Sequence, residues 1–237
     1  MKIIPLSWDS SFFGFKIGKV SLEKATRADV EGIYTDVKKN KFRLVYIESD
    51  SRLPKTSSDK GSIKLVDVKT TLQTDTVHQT LHNSDWNIIE YNSPGITKEL
   101  EALACESGLY SRFRIDPMFP YALYKKLYKR WLVNSVNKKM ADVVFVCLNS
   151  TQTPIGLITV KKDKAYGHIG LVAVDEKYRH KYIGSSLLQE AALWNHSKGG
   201  RYLSVTTQYD NAAAMSLYRK FGFVITHKKY YYHYWIS

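Results

Sequence analysis

The sequence predicts an α/β fold, a mixed sheet covered by helices, on three observations. Several short strand-like runs with tight turns feed a strand–helix–strand–helix–strand series that fills the last third of the chain. From Thr97 onward, stretches with helical and with strand periodicity alternate. Hydrophobic residues make up 44% of 237, enough to bury a sizeable core in one large domain or two small ones.

Residues 1–93 read as short strands with one clear helix, Thr26–Lys39, N-capped by Thr26 with Asp29 at the third helical position. Phe42–Ile47 is strand-like, and 63–71 and 86–91 are further strands. Between them Asp50–Gly61 is polar, carries Pro54 and several serines, and reads as a mobile loop. Ser-Pro-Gly within Asn92–Ile96 marks a boundary, giving a small N-terminal α/β domain (1–93) and a larger one (94–237). The second unit opens with helices at Thr97–Ser107 and about Pro120–Lys138. The strands Val143–Leu148, Ile155–Lys161 and Gly167–Val174 follow. Helix Ile183–Ser197, strand Tyr202–Thr207, helix Asn211–Phe221 and a long aromatic strand end the chain.

The formal charge is +13, with the basic residues scattered rather than gathered in a tail. That suits nucleic acid or a small polyanion equally. Cys105 and Cys147 have no metal-type spacing, so neither a zinc site nor a disulfide framework is expected. Met1–Pro5 lacks a signal-peptide core and no apolar run approaches ~18 residues, so the expectation is a soluble cytoplasmic protein without a membrane partner. Aromatic residues reach 13%, with 17 Tyr, and imply a core or cleft lined by rings with polar tips.

The most informative stretch runs from Leu171 to Leu188. An apolar strand ends at Val174, a turn with Lys177, Arg179, His180 and Lys181 follows, and an amphipathic helix starts near Ile183. The first helical turn presents unpaired N–H groups and the positive end of the helix dipole, so the turn suits a pyrophosphate. Gly184 and Ser185 leave room for close backbone approach. Taken alone, the same pattern also fits a solvated basic turn before an ordinary surface helix.

Arg179-His-Lys-Tyr-Ile-Gly184 resembles the Arg/Gln-x-x-Gly-x-Gly/Ala turn of the GCN5-related N-acetyltransferases, with Tyr182 in place of the first glycine. A tyrosine keeps its backbone N–H available there if its φ is negative. Downstream, the segment from Asn211 through Tyr218 to Gly222-Phe223 is similar to that family's Asn-x-x-Ala-x-x-x-Tyr-x-x-x-Gly-Phe. Seven residues separate Asn211 from Tyr218, two helical turns that put both on nearly one face. Gly222 is placed to end the helix as a left-handed residue.

The resemblance implies the family's fold, a splayed, mostly antiparallel central sheet between helices, with acetyl-CoA as acyl donor and no metal. It implies that the strands ending near Val174 and Thr207 diverge, and that the amides of Val172, Ala173 and Val174 hold the pantetheine arm and polarise the acetyl carbonyl. Arg179, His180, Lys181, Tyr182, Ile183, Gly184 and Ser185 would hold the pyrophosphate. Asn211 would contact the arm, and Tyr218 would be the general acid to the departing thiolate. A phenol suits that role, because its pKa of ~10 is near that of an alkyl thiol. No side chain stands out as the base.

A narrower resemblance spans the chain. Leu6–Gly18, Ser111–Pro120, Leu127–Trp131 and the ending Tyr230–Trp235 are similar to the dTDP-fucosamine acetyltransferases, which N-acetylate a dTDP-4-amino-4,6-dideoxygalactose. This implies a nucleotide-sugar acceptor, no nucleic-acid partner and a possible homodimer. Arg112 and Arg114 are suited to a sugar diphosphate and Asp116 to an amine or hydroxyl, with Gln208 counted among the acceptor-binding residues. An Asp-Pro turn with surface arginines accounts for the same stretch without a ligand. Two other readings stay open: an acetyltransferase for a different amine, and a basic nucleic-acid-binding module on the same fold.

Overall fold

The computed structural model describes residues 2–55, 63–76 and 85–236. Its elements in chain order are β1 (Ile4–Pro5), α1 (Ser7–Phe13), β2 (Ile17–Leu22), α2 (Arg27–Asn40), β3 (Leu44–Ser49), β4 (Ile63–Asp75) and β5 (Asn87–Glu90). There follow α3 (Lys98–Ser107), α4 (Arg112–Ile115), α5 (Tyr121–Val136), β6 (Val143–Leu148), β7 (Pro154–Asp163) and β8 (Tyr166–Val174). The chain ends with α6 (Ile183–Ser197), β9 (Tyr202–Gln208), α7 (Ala212–Lys220) and β10 (Val224–Trp235).

The ten strands among the described residues form one sheet in the order β1-β2-β3-β10-β4-β9-β8-β7-β6-β5. Only β2/β3 and β8/β9 pair in parallel, so the sheet is mixed and mostly antiparallel. Strands from both sides of residue 93 pair with one another. From before that point, β4 lies between β10 and β9, and β5 pairs with β6 at the far edge.

Alternation along β6 explains the layering. Val144, Val146 and Leu148 pack with α3 and α5 on one face, while Val143, Phe145 and Cys147 pack with α6 on the other. A third cluster joins Ile33 and Val37 of α2 to Val45 and Ile47 of β3 and Tyr232 of β10. The expected cap at Thr26 is a complete capping box with Asp29.

Two expectations for the N-terminal half are corrected. A second helix, α1, precedes α2; its Leu6 N-cap has no side-chain cap and Gly14 closes it with φ +81, so it carries none of the polar N-cap signal that marks α2. The strand β2 is a further element outside the expected set. Of the expected loop Asp50–Gly61, residues 50–55 hold no helix or strand, and the rest lies outside the described residues. No described helix is long and apolar enough to cross a membrane.

Candidate active site

The site forms where β8 and β9 part. Their ladder runs from Tyr166/Tyr202 to Ile169/Val205 and then stops, although β8 continues to Val174 and β9 to Gln208. A bulge directs the departure. Two residues of β8, Gly170 and Leu171, stand against Thr159 of β7. The Leu171 N–H donates to Thr159 Oγ1 at 2.8 Å instead of to a backbone carbonyl. Farther along, the Asp175 N–H donates to Ile155 O at 2.8 Å. Successive N–H groups of a strand point to opposite sides, so those of Val172 and Val174 face the gap. The same alternation turns the Ala173 N–H toward β7, which removes it from the expected set of donors.

A cavity of about 430 Å³ occupies the gap. Leu171, Val172 and Thr206 contribute from the parted strands, Asn211 and Tyr218 from α7, and Arg112 and Trp131 from the helices above. Asn211 is the N-cap of α7 and accepts from the Ala214 N–H at 3.1 Å. At its other end α7 closes with the paired bonds Gly222 N–H to Arg219 O (3.0 Å) and Phe223 N–H to Tyr218 O (2.9 Å). Gly222 has φ +85, the conformation expected of it. These bonds fix the backbone that carries Tyr218, whose ring is buried against Phe223. Its hydroxyl has no partner among the described residues, and burial pushes the phenol up, so it stays protonated at neutral pH.

The turn before α6 differs from expectation in three ways. Tyr182 has φ +63 rather than a negative value, so a tyrosine sits in the left-handed region that glycine favours, with its side chain 81% exposed. His180 is also left-handed, at φ +61. Arg179 is committed elsewhere, ion-paired to Glu106 of α3 and donating to Val174 O, so its guanidinium ties the turn to the core. Gly184 serves packing, since a Cβ there would meet the Leu217 side chain of α7 at 3.1 Å. The N–H groups of Ile183, Gly184 and Ser185 nevertheless find no acceptor among the described residues, and no side chain caps the helix. Lys177 and Lys181 flank them. The Lys181 carbonyl accepts from Trp86 Nε1 at 2.7 Å, which anchors the turn to the segment before β5.

The expected acceptor residues separate. Arg112 reaches the cavity, its guanidinium 4.5 Å from the Tyr46 ring, 4.6 Å from Phe113 and 5.0 Å from Tyr231, with its Nε buried and unpartnered. Gln208 lines the cavity as well. Arg114 lies over the exposed Tyr121 ring, away from the cavity. Asp116 is a correction. It is buried, bonded to His233 Nδ1 and to Trp235 Nε1 (2.8 Å), and takes the Met118 N–H (2.9 Å). Burial disfavours its charge, but those bonds outweigh it and hold the carboxyl below its usual range. It locks the turn after α4 to β10 and has no lone pair turned to a ligand in the cavity.

Among the lining residues not assigned to the site from sequence are Trp8 and Asp9 of α1, and Asp67 and Lys69 of β4. In the polar alternation Asp67, Lys69, Thr71, Gln73 nothing announces the cavity that the first two border. Burial pushes the Asp67 carboxyl up, against the pull of Lys69 and Arg112. Burial also pulls the Lys69 amine down, aided by Arg112.

Residues 108–223 match the Acetyltransferase (GNAT) family. The chain is 27% identical over 142 residues to a spore coat polysaccharide biosynthesis protein, SpsD, of Bacillus subtilis, covering 60% of this chain and 48% of that one. It is 29% identical over 105 residues to N-alpha-acetyltransferase 30 of Schizosaccharomyces pombe, covering 42% of this chain and 67% of that one. The chain thus spans about half the length of the Bacillus relative. Among solved structures, a functionally unknown conserved protein from Staphylococcus epidermidis superposes with a TM-score of 0.60 at 14% identity, over 94% of this chain and 85% of the other. That likeness covers the N-terminal strands and concerns the fold alone.

Proposed function

We propose that this chain, whose segment 108–223 matches the acetyltransferase (GNAT) family, moves the acetyl group of acetyl-CoA to the amine of a nucleotide-activated amino-deoxysugar. The observation that carries the transfer reading is the interrupted β8/β9 ladder with a cavity that reaches Tyr218. A linear amide-bearing arm fits between parted strands because it takes up the hydrogen bonds the strands no longer make to each other. The α6 N-terminus, with three free N–H groups and two lysines, suits the pyrophosphate. In this arrangement the N–H groups facing the gap polarise the thioester carbonyl. A neutral amine attacks the carbonyl carbon, the C–S bond breaks, and the Tyr218 phenol protonates the leaving sulfur. The nitrogen's remaining surplus proton restores the phenol.

The acceptor class rests on three supports. The similarity to a polysaccharide biosynthesis protein is one. Arg112, half-buried in the cavity wall, is suited to an anionic group. Trp8 belongs both to the cavity and to a neighbouring open depression formed with Phe12, Lys126, Lys129 and Arg130. There the Trp8 and Phe12 rings stack at 4.9 Å with Lys126 Nζ 4.8 Å above Phe12, a surface suited to a base and a diphosphate.

The test is thiol release from acetyl-CoA with a panel of amines: dTDP-4-amino and dTDP-3-amino deoxysugars, a UDP-4-amino sugar, spermidine, an aminoglycoside and a peptide N-terminus. Turnover confined to a nucleotide amino sugar is expected. Faster turnover of any other amine would keep the transfer chemistry and discard this acceptor.

A further inference from the structure

We propose that Asp67 is the residue that receives the acceptor's ammonium group and takes its proton, with Lys69 and Arg112 lowering the ammonium's hold on that proton. The inference rests on the acetyl-transfer reading above and assigns the base which that reading lacks.

The assignment starts from one atom. Asp67 is only 6% exposed, yet it lines the cavity and its Oδ1 is buried with no hydrogen-bond partner among the described residues. A buried carboxylate oxygen left without a donor is a standing cost to the fold, which a ligand's N–H groups would relieve. Its position is set by the sheet. In β4, Asp67 is paired across from Tyr231 of β10, and Lys69 across from Gln208 of β9. Two residues apart on one strand, the two side chains share a face; α4 packs against β4, and both residues line the cavity. The Gln208 side chain, paired across from Lys69, favours the charged carboxylate from the neighbouring strand.

Charge around the carboxylate suits proton removal better than ammonium storage. From its own strand comes Lys69, whose Nζ lies 4.9 Å from the Tyr231 ring. From α4 comes Arg112, 5.0 Å from the same ring on which both cations converge. Asp210, just beyond β9, and Tyr128 of α5 also face Asp67, and Tyr231 is paired across from Glu48 of β3. Two cations beside the acceptor nitrogen disfavour its protonated form. Burial pushes the Asp67 carboxyl toward the neutral-pH range, where a base accepts a proton and yields it again.

The step balances. One N–H bond of the ammonium breaks and an O–H bond forms on Asp67, and the freed lone pair attacks the acetyl carbon. The carbonyl reforms as the C–S bond breaks. The sulfur takes a proton from Tyr218, the nitrogen's surplus proton replaces it, and Asp67 returns its own proton to solvent.

The test compares wild type with Asp67→Asn and Asp67→Glu, using the panel amine that wild type acetylates fastest. The readouts are acetyl-CoA binding by calorimetry and kcat/KM for the amine from pH 5.5 to 9.5. In Asp67→Asn we expect unchanged acetyl-CoA binding and a 10²–10⁴-fold lower kcat/KM at pH 7. The remaining rate should climb about tenfold per pH unit until the free amine's own pKa is reached, because solution then supplies the deprotonated nucleophile. Asp67→Glu should restore part of the rate and the acid limb. A rate within threefold of wild type with the same pH profile in Asp67→Asn would overturn the assignment alone. Wild type that releases thiol with none of the amines would overturn it together with the proposed function.

Discussion

At the scale of residues, the chemistry turns on groups held in states they would not adopt in water. Tyr218 is buried and stays a neutral phenol, so it gives its proton only to a strongly basic partner such as the leaving thiolate. Replacing it by Phe keeps the ring against Phe223 and deletes the proton. Turnover should fall ~10²–10⁴-fold while acetyl-CoA affinity stays within about threefold, as read by stopped-flow and calorimetry. Tyr182 is the reverse case, a side chain with 81% of its surface exposed and a backbone, φ +63, that suits glycine. Left-handed backbone costs a non-glycine residue ~1 kcal/mol or more, and glycine's larger unfolded entropy recovers part of that. Tyr182→Gly should therefore raise unfolding free energy by ~0.5 kcal/mol in urea titrations and leave acetyl-CoA binding intact. A loss of stability would show that the ring makes contacts that matter.

Elements explain why the gap exists where it does. The bulge at Gly170–Leu171 consumes a residue, and Thr159 Oγ1 satisfies the amide that the bulge strands. Thr159→Val has the same shape but no acceptor, so the Leu171 N–H is left buried. The expected loss is ~1–3 kcal/mol, measured as a lower urea midpoint at unchanged slope. The Asp116–His233–Trp235 cluster does comparable work between α4 and β10. Asp116→Asn should cost ~1–3 kcal/mol. Burial holds the His233 pKa below its unfolded value near 6.5, against the pull of Asp116. The unfolded chain then binds the proton more tightly. The stability from His233 is present above about pH 6.5 and is lost as pH falls toward the lowered folded value. A urea midpoint that does not fall between pH 7 and pH 5.5, or that falls equally in His233→Gln, would contradict this.

Over the whole molecule, most of the architecture was legible because each strand and helix of the second half carries its own period and its own stop. The Gly222 closure and the strand run from 143 to 174 could be read locally for that reason. The rest depended on tertiary placement. The cavity-lining role of β4 was not legible because nothing in Asp67 or Lys69 announces the cavity they border. Asp116 looked like a ligand contact because its partners, His233 and Trp235, lie more than a hundred residues away. Ser-Pro-Gly punctuates the chain after β5, and the pairing of β4 with β9 and β10 and of β5 with β6 is set by partners far along the chain. A single sheet of this kind predicts one calorimetric unfolding transition, with equal calorimetric and van't Hoff enthalpies, and two resolved transitions would contradict it. The account stands or falls on what enters the gap between β8 and β9. Acetyl-CoA added to ¹⁵N-labelled protein should shift the amide resonances of Val172, Val174 and Ile183–Ser185 together, saturably, and leave those around Asp116 and His233 in place. Saturable binding that leaves the Val172 and Val174 amides unmoved, or no binding at all, would contradict the assignment of this gap as the acetyl-donor site.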